Sequence, residues 1–98
     1  MLREITPELI KQIVAERYNV SVNDLLGKRR TQNIAFARHV AMHLCRSMTG
    51  CSFPEIGALF GGRDHSTVIH ANRVIDEKRA ANPEIEADVQ KLIKKIKG

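Results

Sequence analysis

The 98-residue chain carries 16 Lys and Arg against 11 Asp and Glu, a formal net charge of +5, and 43% of its residues are hydrophobic. This composition is ordinary for a globular protein of one domain, and it excludes a wholly disordered or collagen-like chain. No apolar run approaches the roughly 18 residues of a membrane span, and the N-terminus lacks the apolar core of a secretory signal. We therefore expect a single cytoplasmic domain over residues 1–98 that makes no membrane contact.

The two cysteines and the distribution of charge add two expectations. Cys45 and Cys51 are too few for a disulfide framework, so we expect reduced thiols and no bridge. Residues 25–54 contain five basic residues and no acidic one, while the remaining 11 basic and 11 acidic residues balance. The whole net charge therefore belongs to one segment, which favours a polyanionic partner, although a merely solvated basic face is an equally good explanation of charge alone.

The first two predicted helices lie before the basic segment. Thr6-Pro7-Glu8 combines an N-cap, a first-turn proline and an acidic residue, and apolar residues follow at helical spacing as far as about Tyr18. Asn19 is expected to end this helix. A second, short helix is predicted to begin after Ser21 and to end at Gly27.

A long central helix is predicted from about Gln32 to Met48. Its apolar residues repeat every three or four positions and form one stripe: Ile34, Ala37, Ala41, Leu44, Cys45 and Met48. His39, His43 and Arg46 fall away from that stripe, so one edge of the helix is predicted to be cationic or able to become so.

A helix-turn-helix is predicted over about residues 52–81. Ser52 and Glu55 form a capping box for a short helix, Gly61-Gly62 turns the chain, and Asp64 is placed to cap the next helix. That second helix should bury Val68, Ala71 and Ile75 and expose Ser66, Ile69, His70 and Arg73. Asn82-Pro83-Glu84 then begins a last amphipathic helix with lysines near its end.

The segment from Ile56 to Ala71, IGALFGGRDHSTVIHA, closely resembles the signature of the C-terminal DNA-binding domain of the bacterial replication initiator DnaA. Residues 28–30, 35–42 and 53–55 are similar to the basic loop, long helix and helix-turn-helix entry of that family, in the same order. The resemblance implies an all-α, Trp-repressor-like fold of about five or six helices, with the basic loop at about residues 27–31. It also implies sequence-specific binding of double-stranded DnaA boxes at a replication origin.

Positions that match the family's DNA contacts fall into two sets. The resemblance implies base contacts from the recognition helix in the major groove and from one loop arginine in the minor groove: Asp64, His65, Ser66 and Arg30. It implies backbone contacts from a larger set: Lys28, Arg29, Arg38, His39, Arg46, Phe53, Pro54, Arg63, Thr67 and His70. Several have rival structural roles, since Asp64 and Thr67 also suit helix capping, and Phe53 and Pro54 also suit a stable helix start.

Four positions depart from the commoner family pattern. His39 replaces a usual glutamine, Gly50 a longer polar residue, Ser66 a common threonine and Val74 a frequent basic residue. We expect fewer phosphate contacts and a slightly relaxed base preference as a result.

Other classes of function fit the sequence less well. The histidines and cysteines lack the spacing of a zinc site, and adjacent helical residues such as Asp64, His65 and Ser66 point about 100° apart and cannot form a catalytic relay. The chain has no nucleotide-binding loop, so we expect no enzyme activity, cofactor or metal. Two alternatives stay open: a protein-interaction module for an acidic partner, and a free-standing competitor for DNA sites without origin-opening activity. We expect a monomeric domain to which regulatory proteins can also bind.

Overall fold

The helices account for most of the chain. The computed structural model describes residues 4–98, and within that range it contains six α-helices and no strand. They are α1 (Pro7–Tyr18), α2 (Val22–Leu26), α3 (Gln32–Met48), α4 (Phe53–Leu59), α5 (His65–Ala81) and α6 (Pro83–Lys97). The predicted all-α fold with a helix-turn-helix is confirmed, because α4 and α5 are joined by a short glycine turn.

The helix boundaries are set by capping residues. The Thr6 hydroxyl accepts from the backbone at the start of α1, and Ser21 and Ser52 each form a complete capping box. Asn19 ends α1 in the left-handed conformation, with φ of 55°, and Asn82 caps the start of α6. These caps confirm the boundaries that the sequence predicted.

Helix α3 lies at the centre of the molecule and packs against α1, α2, α4 and α5. Its predicted stripe is buried apart from the half-buried Met48, but Val40 and Met42, which the stripe omits, are also fully buried. A helix covered by neighbours on several sides buries more than one face. Helix α3 therefore links α2 to the helix-turn-helix formed by α4 and α5.

His43 corrects the prediction of a cationic edge on α3. Only 3% of this residue is exposed, and its Nδ1 lies 2.8 Å from Oδ1 of Asn72 while its Nε2 lies 3.0 Å from Nη1 of Arg79. Because the Arg79 guanidinium can only donate, Nε2 must accept and the proton must sit on Nδ1. Arg79 also bonds Glu86 at 2.5 Å, so a neutral imidazole connects α3 with α5 and, through Arg79, with α6.

Lys11 of α1 fixes the end of α4. Its Nζ donates to the Leu59 carbonyl at 2.6 Å and lies 5.1 Å from the centroid of the Phe60 ring. A lysine at a helix C-terminus satisfies a carbonyl that has no partner within the helix. The first half of the helix-turn-helix is thereby anchored to α1.

Two further features concern the cysteines and the membrane. Cys45 and Cys51 are both free thiols, and burial raises the pKa of the Cys45 thiol to about 12. None of the helices formed by residues 4–98 is long and apolar enough to cross a membrane.

Candidate nucleic-acid interface

The turn between α4 and α5 depends on glycines. Gly61 and Gly62 have φ of +77° and +75°, a region that side-chain-bearing residues rarely adopt. A Cβ on Gly57 would lie 2.1 Å from the Arg63 carbonyl oxygen, which leaves no room for a side chain. The two helices therefore meet through direct backbone contact, and this fixes the angle at which α5 leaves the turn.

The first turn of α5 carries three of the predicted base-reading residues. Asp64 is the N-cap, and its Oδ2 accepts from the Ser66 amide at 3.2 Å and from the Ser66 hydroxyl. These bonds, the hydroxyl bond first, lower the pKa of the Asp64 carboxyl. The His65 ring lies beside it, with Nδ1 3.5 Å from Asp64 Oδ1, and all three side chains are exposed. The structure thus brings a carboxylate, an imidazole and a hydroxyl together at one helix end.

Arg38 lies beneath the basic loop rather than on the surface. It is 6% exposed, and its Nε donates to the Leu25 carbonyl at 2.9 Å. Its Nη2 lies within hydrogen-bond distance of three more carbonyls, those of Asp24, Gly27 and Arg29, at 2.7, 3.1 and 2.9 Å. Nε and Nη2 of this guanidinium are therefore engaged by the main chain, and the phosphate contact of Arg38 stays a prediction that depends on Nη1 or on the loss of these bonds. Arg38 holds the loop in shape.

Arg63, in the turn before α5, also donates to main-chain carbonyls around the basic loop. This half-buried residue donates through Nη1 to the carbonyls of Leu26 at 3.3 Å and Phe60 at 2.5 Å, and through Nη2 to that of Gly27. Burial lowers the pKa of both the Arg38 and the Arg63 guanidinium. Together they tie the basic loop to the helix-turn-helix, so a direct phosphate contact by Arg63 would require it to give up these bonds.

The remaining loop cations face outwards. Lys28, Arg29 and Arg30 are all exposed at the end of α2. A cleft of about 810 Å³ separates this loop from the turn before α5, and its lining includes Lys28, Arg30, His39 and Thr67. Arg30, the residue predicted for the minor groove, therefore lines this cleft, and Gly61, Gly62, Arg63 and Thr67 line it from the helix-turn-helix. The predicted major-groove residues Asp64, His65 and Ser66 lie between Arg63 and Thr67 in the chain and do not line the cleft themselves.

Two histidines meet at this cleft. The rings of His39 in α3 and His70 in α5 are T-shaped, with centroids 6.3 Å apart. Burial, followed by the fields of His70 and Arg38, lowers the pKa of the half-buried His39. Both predicted backbone-contacting histidines are thus neighbours in space.

The entry to α4 holds another group of predicted residues. The exposed Arg46 guanidinium lies 4.2 Å from the centroid of the Phe53 ring, and its Nη1 donates to the Cys51 carbonyl at 3.3 Å. Phe53 is half-buried and Pro54 is exposed in the first turn of α4. Their predicted stabilising role therefore fits this geometry, and Arg46 keeps an accessible cation beside them.

Two exposed cations on α5, Arg73 and Lys78, were not predicted as site residues from the sequence. Nη2 of Arg73 lies 3.5 Å from Nδ1 of His70, and Nζ of Lys78 lies 5.9 Å from the centroid of the Phe36 ring. Both are exposed, and the helical spacing from Ser66 through His70 already predicted that Arg73 faces outwards. Of the departures from the family pattern, Gly50 is exposed and Val74 is half-buried.

An all-α domain whose helix-turn-helix lies beside a cationic loop is a protein of the helix-turn-helix class. Over residues 7–75 the chain matches the family described as the bacterial dnaA protein helix-turn-helix, and it belongs to that family.

Known proteins of similar sequence are chromosomal replication initiator proteins DnaA. The chain is 43% identical over 95 residues to the one from Treponema denticola and 46% identical over 97 residues to the one from Dechloromonas aromatica. These matches cover 97% and 99% of the chain but 20% and 21% of the relatives, so the chain spans about a fifth of their length.

Solved structures show the same fold. A DNA replication initiation factor superposes with a TM-score of 0.79 at 35% identity, covering 92% of this chain and 28% of that one. A replication initiator DnaA bound to AMPPCP and single-stranded DNA gives a TM-score of 0.71 at 35% identity, covering 92% and 29%. The six helices therefore superpose on part of each of these longer chains.

Proposed function

We propose that this chain binds double-stranded DNA sequence-specifically, that its targets are DnaA boxes, and that it thereby anchors replication initiation at an origin. The observation that carries the proposal is the exposed first turn Asp64-His65-Ser66 of α5, which directly follows a turn that lines one cationic cleft with the basic loop. A recognition helix enters the major groove with its N-terminal residues foremost, and a loop arginine suits the adjacent narrow minor groove.

Each group has a distinct role in the proposed complex. The Asp64 carboxylate accepts from cytosine N4, while His65 and the Ser66 hydroxyl meet neighbouring base edges. Arg30 enters the minor groove. Lys28, Arg29 and Arg46 neutralise phosphates, with further backbone contacts from Phe53, Pro54 and Thr67. In this proposal the chain binds DNA as a monomeric domain and catalyses no reaction. The complex forms in the cytoplasm, at the nucleoid.

The test is a fluorescence-anisotropy titration of a labelled DnaA-box duplex and of its scrambled counterpart, each at low and near-physiological salt. We expect the box to bind more tightly by about a thousandfold or more. Equal binding of both duplexes that fades with salt would contradict sequence-specific recognition. That outcome would favour the alternative of an interaction module for an acidic protein partner.

A further inference from the structure

The contact between His39 and His70 has a chemical consequence for DNA binding. The two imidazoles belong to different helices, α3 and α5, and their rings meet edge to face at 6.3 Å. His39 lines the cleft between the basic loop and the helix-turn-helix. A phosphate entering that cleft therefore meets an imidazole, a group that can change charge near neutral pH, unlike the permanently charged arginines around it.

The surroundings of His39 are positive. The charged and titratable groups that face it are Arg38 from its own helix, His70 and Lys78 from α5, and Arg63 from the turn. Burial, followed by the fields of these groups, lowers the pKa of His39 and favours its neutral imidazole in the free protein. A phosphodiester beside His39 would reverse this preference, because an adjacent negative charge stabilises the imidazolium.

Of the two rings, His39 is the one that lines the cleft, so an entering phosphate reaches His39. Nδ1 of His70 lies 3.5 Å from Nη2 of Arg73, a group that can only donate. Two imidazolium rings 6.3 Å apart would repel each other, so protonation of one ring disfavours protonation of the other.

We propose that His39 and His70 form one phosphate-binding site in which His39 takes up a proton as the DNA backbone binds, so that affinity for DNA rises as the pH falls. This inference rests on the proposed DNA binding. The bond formed is the N–H of the new imidazolium to a phosphate oxygen, and the proton comes from the solvent. His70 supplies a second hydrogen bond.

The direction and size of the effect follow from linkage. The complex binds more protons than the free components in the interval between the lower pKa of free His39 and its higher pKa in the complex, so affinity increases as the pH falls through that interval. A shift of about one pKa unit on contact with a phosphate corresponds to about a tenfold gain in affinity. The gain levels off once free His39 is itself protonated.

The experiment is the anisotropy titration repeated at several values between about pH 8 and about pH 6, near the ordinary pKa of histidine. It uses the DnaA-box duplex and the scrambled duplex with the wild-type chain and the variants His39→Gln, His70→Gln and His65→Gln. We expect the wild type to gain about tenfold towards low pH and His39→Gln to lose most of that gain while still binding DNA. His65→Gln is the matched control, since it weakens box binding but should leave the pH slope intact.

A second measurement assigns the proton to a residue. Imidazole resonances titrated by NMR in the free chain and in the complex should show the pKa of His39 raised on binding. A wild-type affinity that does not change with pH, or a pH slope that His39→Gln leaves unchanged, would overturn the inference. Failure of the proposed function gives a different result from failure of this inference, because the box and scrambled duplexes would then bind with equal affinity at every pH.

Discussion

Arg30 is an exposed side chain at the rim of the cationic cleft, and no hydrogen bond is recorded for its guanidinium among residues 4–98. Replacing it with alanine should weaken binding to a DnaA-box duplex by about 1–3 kcal/mol and weaken binding to random DNA much less. The reason is that a minor-groove arginine senses the narrow, electronegative groove of A·T-rich sequence. Parallel titrations of the two duplexes measure this difference, and equal losses would make Arg30 a plain phosphate contact.

Asp64 has two roles that substitution can separate. Asparagine keeps an N-cap acceptor but removes the negative charge that would accept from cytosine, whereas alanine removes both. We therefore expect Asp64→Asn to keep the wild-type melting temperature and lose discrimination between box and scrambled duplexes. Asp64→Ala should also melt several degrees lower. If Asp64→Asn retains full discrimination, the carboxylate is a cap and not a base reader.

The sequence predicted these residues unequally well. The capping position of Asp64 and the exposure of Ser66, Ile69, His70 and Arg73 follow from local spacing, and the structure agrees. The roles of Arg38 and His43 could not be obtained in this way, because they depend on which distant carbonyl or amide packs nearby. An arginine in an acid-free segment has the same local pattern whether it faces solvent or the main chain of another element.

At the scale of secondary-structure elements, α3 carries a buried and an exposed arginine that make a matched pair. Arg38→Ala should lower the free energy of unfolding by at least about 2 kcal/mol, because several buried carbonyls lose their donor. It should weaken DNA binding through a loosened loop and leave the salt dependence of binding unchanged. Arg46→Ala should leave stability nearly unchanged and reduce the slope of log K against log salt by about one unit.

Chemical unfolding and titrations at several salt concentrations distinguish the two arginines. A stable Arg38→Ala variant with a reduced salt slope would support its predicted phosphate contact. An Arg46→Ala variant with an unchanged slope would remove Arg46 from the phosphate-binding set.

The connection between α5 and α6 should make stability depend on pH. The Arg79 hydrogen bond, followed by that of Gln90, lowers the pKa of Glu86 from 4.5 to about 2. A depressed carboxyl pKa contributes stability that is present above the unfolded-state pKa and is lost as the pH falls through the folded-state value. We therefore expect stability to fall between about pH 5 and about pH 2, and Glu86→Gln to flatten this decline.

Urea unfolding at a series of pH values measures this effect. Glu84→Gln, in the exposed first turn of the same helix, controls for the loss of one carboxylate. The expectation is wrong if Glu86→Gln and Glu84→Gln have the same pH profile.

The helix boundaries could be predicted because caps are local. Each capping side chain accepts a hydrogen bond from an amide two or three residues further along, so the local sequence is enough to predict it. The caps are Thr6, Ser21, Ser52 and Asn82. The packing around α3 could not be predicted as fully from the sequence. Its burial on more than one face, including Val40 and Met42, follows from which helices surround it, and no periodicity within α3 contains that information.

At the scale of the whole molecule, three exposed cations of the predicted set remain for phosphates once Arg30 is given to the minor groove and Arg38 and Arg63 to the main chain: Lys28, Arg29 and Arg46. Each neutralised phosphate contributes about −0.9 to the slope of log K against log salt, so we expect a slope of about −3 on random duplex DNA. Titrations over a range of salt concentrations measure it. A markedly steeper slope would mean that further cations, such as Arg73 and Lys78, also contact the backbone.

The contact between Gly61 and the end of α2 bears on how the molecule reads DNA. A Cβ on Gly61 would lie 2.2 Å from the Leu26 carbonyl oxygen, so the end of α2 and the turn before α5 touch through main chain. In the proposed complex, this contact holds the basic loop and the start of α5 at one separation. We therefore expect affinity to depend on the groove width and stiffness of the duplex as well as on its base sequence.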